Sequence, residues 1–259
     1  MTAEAVLDVR ALNKDFGGLK AVEDVSFSVR RGEIFGIIGP NGAGKTTLFN
    51  VITRMIAASS GTVIFRGTDI GRSNVDQVAR LGLVRTFQST SVFKSQSVVE
   101  NLRRSYAFCK FGRPLSLLSI AQLRVVREAA AHKADEILRF FDLKNSAAIR
   151  AGDLAYGLQK ILGIGMALAT EPRMLLMDEP AAGLNPSEKA GIAEIVNKLR
   201  SELGIDIALV EHDMRMVMSI CDRILVLDHG RPIAIGTPTD IQENQTVIDA
   251  YLGIDYEFA

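Results

Sequence analysis

The most constraining feature of the sequence is the segment Gly39–Thr46, which matches GxxxxGK followed by Ser or Thr, the pattern of a phosphate-binding loop. It follows a short apolar run, Glu33–Ile38, and precedes a stretch that reads as a helix from Lys45 to about Met55. Such a loop points backbone N–H groups at phosphate oxygens, and the helix N-terminus adds partial positive charge. We therefore expect Lys45 to reach the β- and γ-phosphates of a nucleotide and the Thr46 hydroxyl to coordinate Mg²⁺. The alternative, a glycine-rich turn without a ligand, is disfavoured by the full motif in this context.

A second constraint is the segment Met174–Pro180, in which an apolar strand ends in two carboxylates, Asp178 and Glu179. Buried strands do not usually end in paired acids without a cation or a substrate nearby. Asp178 suits the role of a second Mg²⁺ ligand. Glu179 suits the polarisation of an attacking water, because phosphoryl transfer depends on positioning and charge stabilisation. Alone, the pair also fits a solvated loop after a strand; beside a phosphate-binding loop it favours nucleotide hydrolysis.

Length and composition narrow the class of protein. The chain has 259 residues, 47% of them hydrophobic, and a formal net charge of zero. This suits one large domain, or one domain with an inserted lobe, and offers no strong field for nucleic acid or anionic lipid. Cys109 and Cys221 show no metal-type spacing, and Met1–Arg10 lacks the apolar core of a secretory signal. No run approaches the roughly 18 apolar residues of a membrane-spanning helix, so at a membrane another protein must hold this one.

The spacing of apolar residues predicts an α/β chain interrupted by a helical lobe. Alternation between Val22 and Val29 predicts a β-rich first part. From about Ser97 to Phe141 the spacing becomes helical, with a second helix starting at Ser119, where Gln122 would complete a capping box. Short apolar runs predict further strands at Gly61–Phe65, Leu83–Gln88, Met174–Met177, Ile205–Val210 and Ile224–Leu227. Because helices separate the last three runs, they favour a parallel sheet.

Cap and turn residues mark several boundaries. Asn185 is expected to cap a helix, with Pro186 as its first residue and Glu188 as the capping-box acid. Asp228–Gly230 predicts a hairpin turn. Pro238–Leu252 predicts a surface helix near the end of the chain.

Several motifs follow one another in a fixed order along the chain. They are Phe16, Gly39–Thr47, Arg85–Gln88, Leu154–Leu158, Asp178–Glu179, Ala182–Asn185 and His212. In this order they resemble the nucleotide-binding subunits of ABC transporters, and the resemblance covers nearly the whole chain. It implies that Phe16 stacks on adenine and that Gln88 senses Mg²⁺ and the γ-phosphate. It also implies that His212 contacts the γ-phosphate and braces Glu179.

The resemblance assigns a set of site residues and two cofactors, ATP and Mg²⁺. It implies that catalysis rests on Glu179, His212, Gln88 and Lys45. It implies ATP contacts from Phe16, Gly39, Asn41, Gly42, Gly44, Lys45, Thr46, Thr47 and Gly157. It implies Mg²⁺ ligands at Thr46, Gln88 and Asp178.

The same resemblance implies a fold, an α/β P-loop NTPase core with an antiparallel β subdomain and an inserted α-helical lobe. Within one ABC ATPase domain over 1–259, the core and β subdomain would occupy 1–88 and 153–235. The lobe would occupy 89–152 and a C-terminal helical extension 236–259. The lobe should carry a groove for a cytoplasmic helix of a permease, lined by Phe93, Phe108 and Phe111. The same phenylalanines fit the lobe's own core equally well.

Three segments are similar to the subfamily that energises branched-chain amino-acid importers: Phe16–Val22, Ala181–Pro186 and Val247–Gly253. That subfamily implies a second ATPase subunit, in a homo- or heterodimer, two membrane permease subunits and, indirectly, a periplasmic substrate-binding protein. It implies a peripheral place on the cytoplasmic face of the bacterial inner membrane and no nucleic-acid partner. Some relatives serve urea or aromatic acids, so the expected substrates are branched-chain amino acids or related small polar molecules.

The signature segment departs from the family's usual Leu-Ser-Gly-Gly-Gln. Ala155 replaces the serine, Tyr156 the first glycine and Leu158 the glutamine. In this family ATP lies between the phosphate-binding loop of one subunit and the signature of the other, where losing the serine donor would cost about 1.5–3 kcal/mol. We therefore hypothesise an asymmetric pair, in which the site built on this chain's phosphate-binding loop works well and the site built on its signature works poorly. The alternative is a weakly hydrolysing regulatory subunit. The intact Glu179 and His212 argue against this alternative.

Two other classes of protein fit less well. A soluble ABC-type ATPase of DNA repair or translation would need a coiled-coil insertion, a basic face or a second cassette, and the sequence shows none of these. A small-molecule kinase also uses a phosphate-binding loop. It would not explain Gln88, Ala182–Asn185 and His212 together.

Overall fold

The computed structural model describes residues 4–86, 91–111 and 120–252 of the chain. Its strands are β1 (Ala5–Phe16), β2 (Leu19–Arg30), β3 (Ile34–Ile38), β4 (Ser60–Phe65), β5 (Thr68–Asp69), β6 (Leu83–Thr86), β7 (Met174–Asp178), β8 (Asp206–Val210), β9 (Arg223–Asp228) and β10 (Arg231–Gly236). Its helices are α1 (Lys45–Ile52), α2 (Val75–Arg80), α3 (Val98–Phe111), α4 (Ile120–Phe140), α5 (Tyr156–Leu168), α6 (Pro186–Leu203), α7 (Met214–Ile220), α8 (Pro238–Gln242) and α9 (Gln245–Leu252).

The larger sheet carries the strands that end in the predicted motifs. Its order is β10-β9-β3-β8-β7-β6, and the pairs are parallel except for the β9–β10 hairpin. Ile34 and Ile38 of β3 pack into one hydrophobic cluster, whereas Phe35 and Ile37 pack into another on the opposite face. A sheet buried on both faces needs unbroken apolar strands, which is why they could be predicted from short apolar runs. Parallel strands share one carboxyl edge, so the loops after β3, β7 and β8 lie together.

A second sheet covers one face of the first. Its order is β2-β1-β4-β5, and its pairs are antiparallel. Val25, Phe27 and Val29 of β2 alternate into the core as predicted, and Phe27 stacks on Phe35 of the larger sheet with ring centroids 5.2 Å apart. The sequence indicated only a β-rich first part and did not identify β1, which pairs with both β2 and β4. This strand ends at Phe16 and so brings that ring to the carboxyl edge of the larger sheet.

Helices α3 and α4 lie within the predicted helical region, and both pack against α5, which follows it. A Cβ on Gly165 of α5 would lie 3.1 Å from Ile137 and 3.3 Å from Leu102, so a small residue lets the three helices approach closely. Phe108 is 83% exposed and Phe93 49% exposed, so neither belongs to the core of this region. The predicted cap at Ser119 and the Phe111 side chain lie outside the described residues. In the described part of the chain, no helix has both the length and the apolar character to cross a bilayer.

The predicted boundaries are partly confirmed. Asn185 Oδ1 accepts from the Glu188 N–H at 3.0 Å, and the Glu188 carboxylate accepts from the Asn185 N–H at 3.0 Å, which is the predicted capping box. Helix α1 stops at Ile52 rather than near Met55, because Arg54 takes a left-handed conformation with φ of 62°. The single helix predicted over 238–252 is wrong. Asn244 breaks it, since its side chain caps α9 by accepting from the Thr246 and Val247 N–H groups.

Candidate active site

The phosphate-binding loop runs from the end of β3 to the start of α1, as the sequence predicts. Gly39, Gly42 and Gly44 have positive φ angles of 149°, 83° and 95°. A Cβ on Gly39 would lie 2.1 Å from the Leu227 carbonyl oxygen. A Cβ on Gly44 would lie 2.3 Å from the Ala21 carbonyl oxygen. Only glycine fits the backbone conformation and the space at these two positions, so the loop's curvature depends on them.

The Lys45 side chain folds back into this loop. Its Nζ donates to the carbonyl oxygens of Gly39 at 2.6 Å and Pro40 at 2.7 Å. Burial lowers the pKa of the Lys45 amine, and the negative charges of Glu179 and Asp178 act in the opposite direction. The amine is thus held by two neutral acceptors at the place where a phosphate would offer charged ones.

An open cleft of about 490 Å³ lies over the loop. The predicted site residues among those that line it are Phe16, Asn41, Gly42, Gly44, Lys45, Thr46, Thr47, Glu179 and His212. The Phe16 ring is half-exposed, and the Lys14 ammonium lies 4.7 Å from its centroid. An exposed aromatic face next to a loop of backbone N–H groups suits a nucleobase attached to phosphates.

Asp178 ends β7 in a buried position. Its Oδ2 accepts from the Arg85 guanidinium at 2.5 Å, and both side chains are buried, 6% exposed for Arg85 and 4% for Asp178. Its Oδ1 is buried and makes no hydrogen bond within the described ranges. A carboxylate oxygen of this kind is a ligand that Mg²⁺ prefers, and the Thr46 hydroxyl is exposed in the neighbouring cleft. The residues present therefore fit a Mg²⁺ ion.

Glu179 follows β7 in a strained backbone conformation. Its φ is 47°, in the left-handed region that non-glycine residues enter at a cost of about 1–3 kcal/mol. The Glu179 N–H donates to the Val210 carbonyl at 2.9 Å, so the ends of β7 and β8 are joined here. Its Oε1 lies 2.6 Å from His212 Nε2, which donates in the Nε2-protonated tautomer. The predicted bracing of Glu179 by His212 is thus present as a contact.

Among the described residues, three predicted site residues do not line this cleft: Gly39, Asp178 and Gly157. Gly157 lies buried in the first turn of α5, where a Cβ would come 2.8 Å from Glu188 Oε1, and it does not line the cleft as described. Ala155, which precedes α5, makes no side-chain capping bond. Gln88 lies outside the described residues. The phosphate-binding loop, Glu179 and His212 therefore come together without this chain's own signature segment.

Three charged residues at the site were missed by the sequence reasoning. Arg85 pairs with Asp178, and Lys160 Nζ of α5 donates to the Glu179 carbonyl at 3.2 Å. Glu211 Oε1 accepts from the Ala181 N–H in the loop after β7. Each reads as an ordinary solvated charge in the sequence. A signal existed for Glu211, which directly follows an apolar strand and precedes His212. No feature of the sequence indicated that Lys160 lies at the site.

Comparisons with known proteins identify the family of this chain. Residues 22–182 match the family model described as ABC transporter, which is more than half of the chain. The chain belongs to the ABC transporter ATP-binding family. Residues 231–257 also match the model described as branched-chain amino acid ATP-binding cassette transporter. The resemblance recognised from the order of the motifs is thereby confirmed.

Relatives and solved structures match this family member over nearly their whole length. It is 42% identical to the high-affinity branched-chain amino acid transport ATP-binding protein LivG of Salmonella typhimurium, over 97% of this chain and 99% of LivG. It is 41% identical to the high-affinity branched-chain amino acid transport ATP-binding protein BraF of Pseudomonas aeruginosa, over 96% of this chain and 98% of BraF. The ADP conformation of an ABC transporter cassette superposes with a TM-score of 0.85 at 33% identity, over 97% of this chain and 100% of that one. A nucleotide-free ATP-binding cassette of an ABC transporter superposes with a TM-score of 0.84 at 34% identity, over 96% of this chain and 99% of that one. The predicted fold class is confirmed.

Proposed function

We propose that this chain hydrolyses ATP with Mg²⁺ and thereby drives an ABC importer for branched-chain amino acids or related small polar molecules. The observation that carries the catalytic part is the 2.6 Å contact between Glu179 and His212, in one cleft with Lys45 and the phosphate-binding loop. The substrate class is supported by the names of LivG and BraF and by the match at residues 231–257.

Each residue has a role that follows from its position. Lys45 exchanges the carbonyls of Gly39 and Pro40 for phosphate oxygens, and the backbone N–H groups of the loop hold the same phosphates. Thr46 and Asp178 would hold Mg²⁺, which would supply positive charge against the phosphates. The backbone positions of Asn41, Gly42, Gly44 and Thr47 lie along the same cleft.

Glu179 orients the attacking water and accepts its proton. Its carboxylate is held by His212 Nε2, and the residue lines the cleft. The left-handed backbone at Glu179 supports this, because it turns the chain sharply where β7 ends. Gln88, as the third Mg²⁺ ligand, and His212, as a γ-phosphate contact, complete the proposed set.

We also propose that the chain works as one half of an asymmetric ATPase pair. Gly157 lies outside the chain's own cleft, and Ala155 has no hydroxyl to donate to a γ-phosphate. The pair would sit on two permease subunits at the cytoplasmic face of the inner membrane, fed by a periplasmic binding protein. Within the single domain we propose a core with its β subdomain at 1–88 and 153–235, a lobe at 89–152 and an extension at 236–259.

Phosphate release tests the catalytic proposal, with Glu179→Gln as the matched variant. We expect the wild type to release phosphate from ATP when Mg²⁺ is present and to stop when EDTA is added. Glu179→Gln should lower turnover by about 10²- to 10⁴-fold, because it removes a positioned base. Its affinity for ATP should stay close to that of the wild type, since the amide keeps the shape of the side chain.

A wild type that binds ATP without turnover would identify the degenerate signature as the defect. A partner ATPase subunit with a complete signature should then restore activity to the wild type and not to Glu179→Gln. If neither the single chain nor the mixed pair releases phosphate, the catalytic proposal is wrong and the weakly hydrolysing regulatory subunit takes its place.

Phe16→Ala tests the proposed adenine contact. Base–aromatic stacking contributes about 1–3 kcal/mol, so the Kd for ATP should rise by about 5- to 150-fold. Turnover at saturating ATP should change little, because stacking on the base does not touch the phosphate that reacts. The affinity for inorganic tripolyphosphate, which has no base, should not change. Phe108→Ala, at an exposed phenylalanine that does not line the cleft, is the control; equal weakening of ATP and tripolyphosphate would contradict the stacking role.

A further inference from the structure

Glu211 is a buried acid to which the proposed reaction gives no task. It directly follows β8, is 2% exposed, and is not among the residues that line the described cleft. Both of its carboxylate oxygens are engaged. Oε1 accepts from the Ala181 N–H at 2.6 Å, and Oε2 accepts from the His212 N–H at 3.1 Å.

These two bonds hold the backbone on both sides of the Glu179–His212 contact. Ala181 lies two residues after Glu179 in the loop that leaves β7, and the Ala182 N–H donates back to the Glu179 carbonyl at 3.2 Å. His212 carries the ring that contacts Glu179. One carboxylate therefore joins the loop after the proposed base to the backbone of the residue that braces it.

Burying this acid is costly, and its surroundings offset only part of the cost. Burial raises the pKa of Glu211, and backbone N–H groups of Ala181, His212 and Asp213 act in the opposite direction. Lys160 provides a positive charge from α5, where its Nζ donates to the Glu179 carbonyl. An apolar side chain would fill the same space without the desolvation cost, so packing alone does not explain an acid here.

We propose that Glu211 is a positioning residue that presets the Glu179–His212 pair by holding Ala181 and His212 on one carboxylate. The proposal deepens the proposed hydrolysis and rests on Glu179 being its base. Glu211 itself touches neither nucleotide nor water of the reaction. Its effect reaches the chemistry through the Glu179–His212 contact, which depends on the Ala181 loop and the His212 backbone being held together.

Glu211→Gln is the test, because the amide keeps the volume and retains only one acceptor oxygen for the two N–H groups. Turnover should fall by about 10- to 100-fold, the range expected for a lost charged hydrogen bond, while the affinity for ATP stays near that of the wild type. Hydrogen–deuterium exchange of the full chain without nucleotide should speed up at Ala181 and His212. Glu211→Asp keeps the charge but is too short to reach both N–H groups, so it should show the same fall in turnover and the same faster exchange. It replaces Glu211→Gln in the test if the amide variant does not fold.

Asp206→Asn is the matched control at the opposite end of β8. Asp206 is also fully buried, and it accepts from the Gly32 N–H at 2.7 Å and from Arg66 at 2.8 Å. This variant should lose stability while turnover per folded molecule is unchanged. A second readout is the double variant with His212→Ala, in which Glu211→Gln should have a much smaller effect on turnover than it has alone.

The outcomes separate this proposal from the proposed function. Unchanged exchange at Ala181 and His212, or unchanged turnover in Glu211→Gln, would overturn the positioning role while leaving hydrolysis intact. An equal fold-loss in the wild-type and His212→Ala backgrounds would also overturn it. The wild type could also show no turnover even beside a partner ATPase subunit, while hydrogen–deuterium exchange at Ala181 and His212 is faster in Glu211→Gln. This result would support the holding of Ala181 and His212 by Glu211 and would count against the proposed hydrolysis.

Discussion

Arg85→Met is expected to lower the free energy of unfolding by about 3–5 kcal/mol, the cost of leaving one member of a buried ion pair without the other. The Arg85 guanidinium is 2.5 Å from Asp178 and also donates to Asn50 Oδ1 at 2.5 Å, so it links β6, β7 and the helix after the phosphate-binding loop. Methionine keeps much of the side-chain volume and removes the charge. Urea unfolding at neutral pH without nucleotide measures the loss.

Asp178→Asn placed in the Arg85→Met background separates charge from packing. The neutral amide removes the uncompensated charge, so the double variant should be more stable than Arg85→Met alone. Lys198→Met breaks the exposed pair between Lys198 and Glu194 and should leave stability close to that of the wild type. A loss below about 1 kcal/mol in Arg85→Met would show that the pair at Asp178 contributes no more than a surface pair does.

Most of the larger sheet could be predicted from the sequence, for a physical reason. Burial on both faces makes Met174–Met177 and Ile207–Val210 unbroken apolar runs, which their length identifies as strands. Their order could not be predicted, because β3 lies between β9 and β8 through long crossovers that leave no local pattern. The break between α8 and α9 was missed because Asn244 reads as one more polar residue on a helical face until its side chain is seen to cap α9.

The site divides in the same way between local and long-range features. Gly39–Thr46 and the Asn185 cap are set by neighbours in sequence, so their motifs were sufficient. Arg85 meets an acid 93 positions away, and it does so because β6 pairs in parallel with β7, with Arg85 opposite Leu176. Glu211 meets an amide 30 positions away. A charged residue in a sequence predicts solvent exposure. Only the order of the strands in the folded sheet shows that Arg85 and Glu211 are buried.

Lys45→Ala is expected to abolish most of the stabilisation that ATP gives to this chain. At about 100 times its Kd, ATP should stabilise the wild type by about 2.7 kcal/mol, which raises Tm by roughly 5–10 °C for a domain of this size. In the wild type the amine is already inside the loop, held by Gly39 and Pro40, and needs only to exchange these carbonyls for phosphate oxygens. Alanine offers no donor there, so the same ATP concentration should raise Tm little.

The quantity to compare is the increment in Tm that ATP causes. Lys45→Ala also frees the carbonyls of Gly39 and Pro40, so it changes Tm even without ATP. Lys198→Met removes one exposed charge elsewhere and should keep the full increment. Glu179→Gln should also keep it, since its defect lies in the reaction of bound ATP. If Lys45→Ala retains the wild-type increment, the loop does not bind phosphate through this amine. If all three variants behave as expected, Lys45 supports binding and Glu179 supports chemistry, although both line one cleft.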